Sequence, residues 1–398
     1  MDQTGVTDSS VQFQEMIDAQ PKGTKILLPK GTYKFDNAIE LKDGIKLIGA
    51  NNNVKIKGTG NNTLFWTGND NSFEGIEFQY CGAAISVLYK KGLNVINCGF
   101  TSNISYAAVN LYGASNSTVK NSYFYDVHKF GVLIDKDSSN IKIDNNNFNN
   151  AKAFDGYAKE QIAGHVYCMN GTKVSVTNNI IKNSGGQGII FGYNSATGKG
   201  TTNSVASNNL SQGNGQEGIT IYGGSKKVSS GNSLIGNTSK NNRFNQIEVW
   251  QSDNNTVKNN TVEESLAGTG NLGAITLFTT TGTTASENKV LSARNSGISI
   301  TSGSSNCFIT NNYIANTNGK NDIKSAEKGN AILLDSCGIS QPQYITIRSN
   351  KITSSSGIIA KSGIYSTSNE NRHNKIDNNS TWGYKYGLHE YAAMTCGE

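Results

Sequence analysis

From about residue 44 onward, short runs alternate apolar and polar side chains, as in Gly218-Ile219-Thr220-Ile221-Tyr222 and Gln246-Ile247-Glu248-Val249-Trp250. Alternation of period two marks a β-strand that buries one face. Aligning on the apolar residue after the small residue that opens each run gives Ile85, Val109, Val132, Val166, Ile189, Ile219, Ile247, Ile275, Ile298, Ile332 and Ile364. The steps between these anchors are 24, 23, 34, 23, 30, 28, 28, 23, 34 and 32 residues. Between anchors lies a second phrase, apolar-x-apolar-x-Asn-Asn, seen at Ile141–Asn146, Val174–Asn179 and Cys307–Asn312.

Short strands recurring every 20–30 residues predict a solenoid. Three strands per coil, with Gly and Asn at the corners, predict an all-β, right-handed parallel β-helix. Parallel strands pair with the coils above and below, and alternation sends every second Ile or Val inside. Asn tolerates the left-handed conformation that a tight corner needs, and stacked Asn side chains can bond along a ladder. Repeats of 40–50 residues, as in a propeller, are absent, and no Leu recurs as leucine-rich repeats require.

Before the coils, residues 8–19 carry a helical pattern. Val11, Phe13, Met16 and Ile17 form its apolar face, and Asp8-Ser9-Ser10 offers N-caps. Strands follow at Lys25–Tyr33. A helix here covers the open end of the stack, whose terminal coil otherwise exposes unpaired N–H and C=O groups. The reading is therefore an N-terminal cap over 1–43 and a β-helix with loop insertions over 44–398.

Composition agrees: Gly is 44 of 398 residues, Pro only 3, and 35% of residues are hydrophobic. A net charge of +6, with Lys scattered, gives no basic stripe of the kind a nucleic-acid surface requires. Mild positive charge suits an acidic polysaccharide or simply a solvated surface. The six cysteines are far apart and form no C-x-x-C pair, so neither a zinc site nor another metal site is expected. No closely spaced acidic trio suggests calcium, and no cofactor motif is found. No apolar span predicts membrane insertion, and no signal peptide is visible.

The N-terminal phrase (the 8–19 helix, then Ile26-Leu27-Leu28-Pro29-Lys30-Gly31-Thr32-Tyr33) resembles the opening of the pectate-lyase-like superfamily. The Gly-Ile-x-Ile and Asn-Asn-x-Ile coils are similar to the same superfamily. Within it, the Asn/Ser/Gly-rich, Pro-poor texture most resembles phage tailspike depolymerases. That resemblance implies a homotrimer in a virion tail, made in the host cytoplasm, that cleaves bacterial surface polysaccharide. A secreted bacterial protein is the alternative location.

Candidate chemistry lies where outward strand positions depart from Thr and Ser. Glu248 occupies such a position, and Glu217 opens the preceding rung. With rungs about 4.8 Å apart and an offset of three residues, the two carboxylates are expected roughly 6–10 Å apart, the separation of an inverting glycosidase. Glu248 is read as general acid, desolvated by Trp250, and Glu217 as base, with Asp253 as a substitute for either. The same residues also read as ordinary exposed acids. Tyr222, Trp250 and Phe278 on consecutive rungs form a sugar-stacking platform, or else pack under loops or a neighbouring subunit.

A second set, Asp155, Lys159, Glu160, His165 and Tyr167, accompanies the insertion before Val166 and suits β-elimination on a uronic-acid polymer. A third, weaker set is Asp126, His128 and Asp135. The leading expectation is hydrolysis of capsular or exopolysaccharide. A polysaccharide lyase and a non-catalytic binding fibre are the alternatives.

Overall fold

A computed structural model describes residues 1–149, 163–264, 272–317, 329–336, 340–355, 361–367 and 373–391. The chain divides into two compact units, Met1–Ile189 and Ile190–Glu398. Each is a parallel β-solenoid with three strands per turn, one strand in each of three sheets.

In the first unit, the strand of sheet I runs through Thr63–Trp66, Ala83–Leu88, Ala107–Tyr112, Phe130–Asp135 and Gly164–Cys168. The predicted anchors are in register: Ile85 pairs with Val109, Val109 with Val132, and Val132 with Val166. The pairing begins earlier than the coil pattern, since Lys25–Leu28 and Gly31–Lys34 already pair with Lys46–Gly49 and Val54–Lys57. The boundary drawn at residue 43 thus falls inside a continuous ladder.

The cap is the α-helix Ser10–Asp18. Asp8 starts it by accepting the Ser10 N–H at 2.9 Å, as an N-terminal carboxylate does. Phe13 and Ile17 are fully buried, and Phe13 lies 4.9 Å from Phe35 and 6.1 Å from Phe65. Val11, expected on the apolar face, is 62% exposed. Beneath the cap, Phe78, Phe100, Phe124 and Phe148 stack rung on rung at 5.2, 4.7 and 4.2 Å.

In the second unit, Ile219, Ile247, Ile275, Ile298, Ile332, Ile364 and Leu388 pair in succession. Leu388 belongs to the final strand, Tyr386–Tyr391, so the tail does form a last coil.

The Asn-Asn phrase has two separate jobs. The first Asn adopts positive φ, as at Asn208 (56°), Asn259 (55°) and Asn311 (56°), which Asn accepts at less cost than most residues. The second turns inward and builds a buried ladder. Each side-chain amide donates to the next Asn: Asn209 to Asn237, Asn237 to Asn260, Asn260 to Asn288, Asn288 to Asn312 and Asn312 to Asn350, all at 2.9–3.0 Å. The expectation that the Asn runs are structural matches this geometry.

One expectation is corrected. The outward positions of sheet I were read as an exposed face, yet Ser86, Thr220, Glu248, Thr276, Ser299 and Leu333 are all under 9% exposed. Short side chains at rung spacing shield one another: Thr276 Oγ1 sits 3.1 Å from Ser299 Oγ.

Candidate active site

Thr220, Glu248 and Thr276 follow one another in register on sheet I of the second unit. Glu248 is 8% exposed. Burial pushes its carboxyl well above the usual carboxylate range, and the nearby Glu217 charge pushes it further. Asn245 opposes this, donating from Nδ2 to Glu248 Oε1 at 2.6 Å. Glu217 is only half-buried. It belongs to the rung that Asn245 joins, since the Gly218 N–H donates to the Asn245 carbonyl at 3.0 Å. One carboxyl lies in a dry slot that favours its neutral form, while its neighbour keeps access to water. Unequal environments of this kind divide acid from base.

Two buried polar atoms beside Glu248 have no hydrogen-bond partner among the described residues: Thr220 Oγ1 and Asn245 Oδ1. Unmet polar groups at such a place cost stability and are available to a ligand hydroxyl.

A buried brace fixes the corner that presents Asn245. At the slot opening most sheet I strands the residue is small, as at Ala84, Ala108, Gly218, Ala274, Gly297 and Ala331. Gln246 occupies the same slot and is fully buried. Its Nε2 donates to Glu264 Oε1 at 3.1 Å, and its Oε1 accepts from Asn242 at 2.7 Å. Arg294 completes the brace. Its Nη2 donates to the carbonyls of Asn242, Arg243 and Phe244 at 2.9, 3.1 and 3.2 Å and meets Glu264 at 3.4 Å. Sequence reasoning missed Asn245, Gln246, Glu264 and Arg294; the legible signal was a Gln in a column of Gly and Ala.

Tyr222 and Trp250 are directly paired, as are Trp250 and Phe278. The Trp250 and Phe278 rings stack face to face at 3.6 Å, 8° from parallel. Tyr222 meets Tyr193 edge-on at 5.2 Å, and its phenol is raised by burial, by Tyr193 and by Glu248. All three platform residues keep partial exposure.

The remaining candidates lie elsewhere. Asp253 is committed to a corner, its Oδ1 meeting Lys227 at 3.1 Å and accepting the Thr281 N–H at 2.7 Å. His165, expected with the inserted loop before Val166 and as a candidate for β-elimination, is 1% exposed in the core. It fills the slot that Gly131 and Ala108 occupy, 5.5 Å from Phe148, with Nε2 on the Lys182 carbonyl at 2.9 Å. Burial drives its pKa down to about 4, leaving it neutral and cut off from any substrate. Tyr167 is 8% exposed and packs on Phe130 at 5.0 Å. Asp155, Lys159 and Glu160 lie outside the described residues. In the third set, His128 Nε2 stands 3.8 Å from Asp126 Oδ1, while Asp135 accepts the Lys136 N–H at 2.7 Å.

Residues 43–202 match the family model described as right handed beta helix region. Residues 156–331 match the model described as periplasmic copper-binding protein (NosD). A search of curated proteins found no match. Among solved structures, the chain is similar to the Dettilon tailspike protein (16% identity, TM-score 0.57, covering 78% of this chain and 64% of that one). It is similar to a mannuronic acid specific polysaccharide family 6 lyase from human gut microbiota (12%, 0.58, covering 96% and 89%). It is also similar to PfbA, a surface adhesin of Streptococcus pneumoniae (16%, 0.56, covering 80% and 91%).

The chain is a right-handed parallel β-helix protein, with a tailspike and a polysaccharide lyase among its structural neighbours. At these identities the likeness concerns the fold, and sites grafted on one fold differ in chemistry. Copper finds no fitting donor set among the described residues: no three His, Cys, Asp or Glu side chains converge, and His165 and Cys168 are buried in the core.

Proposed function

We propose that the protein is a carbohydrate-active enzyme, a tailspike-type depolymerase that hydrolyses glycosidic bonds of bacterial capsular or exopolysaccharide. Glu248 is the general acid and Glu217 the base. The observation that carries this reading is the unequal pair: a buried carboxyl with raised pKa beside a half-exposed one, on a sheet bearing stacked aromatics.

In this mechanism neutral Glu248 protonates the leaving glycosidic oxygen, and Glu217 takes a proton from the attacking water. Asn245 Oδ1 accepts a hydrogen bond from a sugar hydroxyl, and the Thr220 hydroxyl exchanges one with another. Tyr222, Trp250 and Phe278 offer ring faces and edges to the apolar faces of the sugar rings.

The test is incubation with a panel of bacterial capsules, with products sized and reducing ends counted. Glu248→Gln is expected to lower the rate roughly 100- to 10,000-fold; an unchanged rate refutes the assignment. A lyase product absorbs in the ultraviolet at its new double bond, so absorbance without dependence on Glu248 favours elimination instead. Binding with no new reducing ends identifies a fibre. The tailspike reading carries with it a homotrimer on a virion, which sedimentation equilibrium and virion proteomics test.

A further inference from the structure

The outer face of sheet I in the first unit carries a separate cluster of aromatic and cationic side chains. Leu88 pairs with Tyr112 and Tyr112 with Asp135. Tyr89 is 64% exposed although its backbone sits at φ 52°, a conformation that costs a bulky residue about 1 kcal/mol or more. Its ring lies over Gly113, where an added Cβ meets it at 2.3 Å, and meets Tyr112 edge-on at 5.6 Å. Lys136 Nζ stands 5.6 Å from the Tyr112 ring centre.

At the other end of the same strands, Lys129 Nζ stands 5.7 Å from Tyr106 and 5.4 Å from Phe130. The two ends belong to the same paired strands, Ala107–Tyr112 and Phe130–Asp135. Between them, Ser86 and Asn110 are paired neighbours. Ser86 Oγ and Asn110 Oδ1 are both buried without a hydrogen-bond partner among the described residues.

We infer that this face is a second carbohydrate-binding site, selective for anionic polysaccharide. Tyr89 and Tyr112 present ring surface to a pyranose. Lys136 and Lys129, with the exposed Lys90 and Lys91 beside Tyr89, meet carboxylates along the chain, while Asp135 and Asp137 flank Lys136 and the Asp70 N–H donates to the Lys91 carbonyl at 2.7 Å. Ser86 Oγ and Asn110 Oδ1 take hydroxyl protons from the same sugar. The left-handed corner at Tyr89 recurs at the same place in other turns, as at Lys136 (53°), Gln251 (48°) and Thr279 (51°), and at Tyr89 it carries an exposed ring.

The inference is independent of the Glu217–Glu248 reading. It is tested by titrating the full-length Glu248→Gln protein, which removes turnover, with polygalacturonate oligosaccharides and with neutral dextran oligosaccharides in a calorimeter. The expected result is binding of the polyuronate that weakens at least threefold between 50 and 300 mM salt, with little binding of dextran. Tyr89→Ala and Lys136→Gln, both surface changes, are each expected to weaken it at least fivefold, with melting temperatures unchanged. Equal binding of dextran, no polyuronate binding at millimolar concentration, or full affinity in both variants overturns the proposal.

Discussion

At the scale of single residues, two buried titratable groups pull the pH dependence of stability in opposite directions. Glu248 has a folded pKa above its unfolded value. Its proton therefore stabilises the fold; that contribution is whole below the unfolded pKa of about 4.3 and is lost as pH rises through the folded value. Gln in its place keeps a hydrogen-bonding group and cannot ionise. Melting curves of Glu248→Gln are expected to match the parent near pH 4 and to lie a few degrees above it at pH 8. His165 is the mirror case, held neutral with pKa down to about 4 against a reference of 6.5. Its contribution is present above pH 6.5 and is lost as pH falls towards 4, by about 3 kcal/mol at roughly 1.4 kcal/mol per unit. His165→Gln is expected to flatten melting temperature against pH across that window.

At the scale of elements, the Asn ladder does for the polar side of each turn what the Ile and Phe columns do for the apolar side. Asn260 is fully buried. It donates to Leu234 O at 2.8 Å and to Asn288 Oδ1, and accepts from Asn237 through both backbone and side chain. Asn260→Leu leaves several buried partners unmet, so a loss of about 4 kcal/mol is expected by chemical denaturation. Asn259→Gly, at the corner with φ 55°, is expected to cost little, because Gly accepts that conformation freely.

The Asn-Asn phrase was legible as structure because corner geometry and ladder bonding leave the same mark in every turn. Glu248 was legible because it breaks a column of Thr and Ser. Its burial was not: period two says which way a side chain points, and neighbouring rungs decide whether water reaches it. His165 was misplaced for a related reason. It stands one residue before its anchor, in a column of Gly and Ala whose residues face the core, and only the packing against Phe148 reveals that. Arg294 is over forty residues from Asn245 in sequence, and no local pattern links them.

At the scale of the molecule, the fold followed from repetition, while the proposed chemistry rests on departures from it. The terminal helix is the device that ends the stack, covering Phe35 and Phe65 with Phe13. Phe13→Asp keeps a residue that a helix tolerates yet puts a charge against that aromatic end. It is expected to promote end-to-end association, read as larger species in light scattering, because an uncovered terminal rung invites another chain to pair with it.

The ladder has one more consequence. Each ladder Asn bonds its counterpart and a backbone carbonyl in the adjoining turns, and each corner makes its own left-handed bend. A gene segment encoding one whole turn can thus be duplicated or lost in evolution while every remaining bond finds the same partner type. Lengthening this protein by a turn demands no newly invented contact.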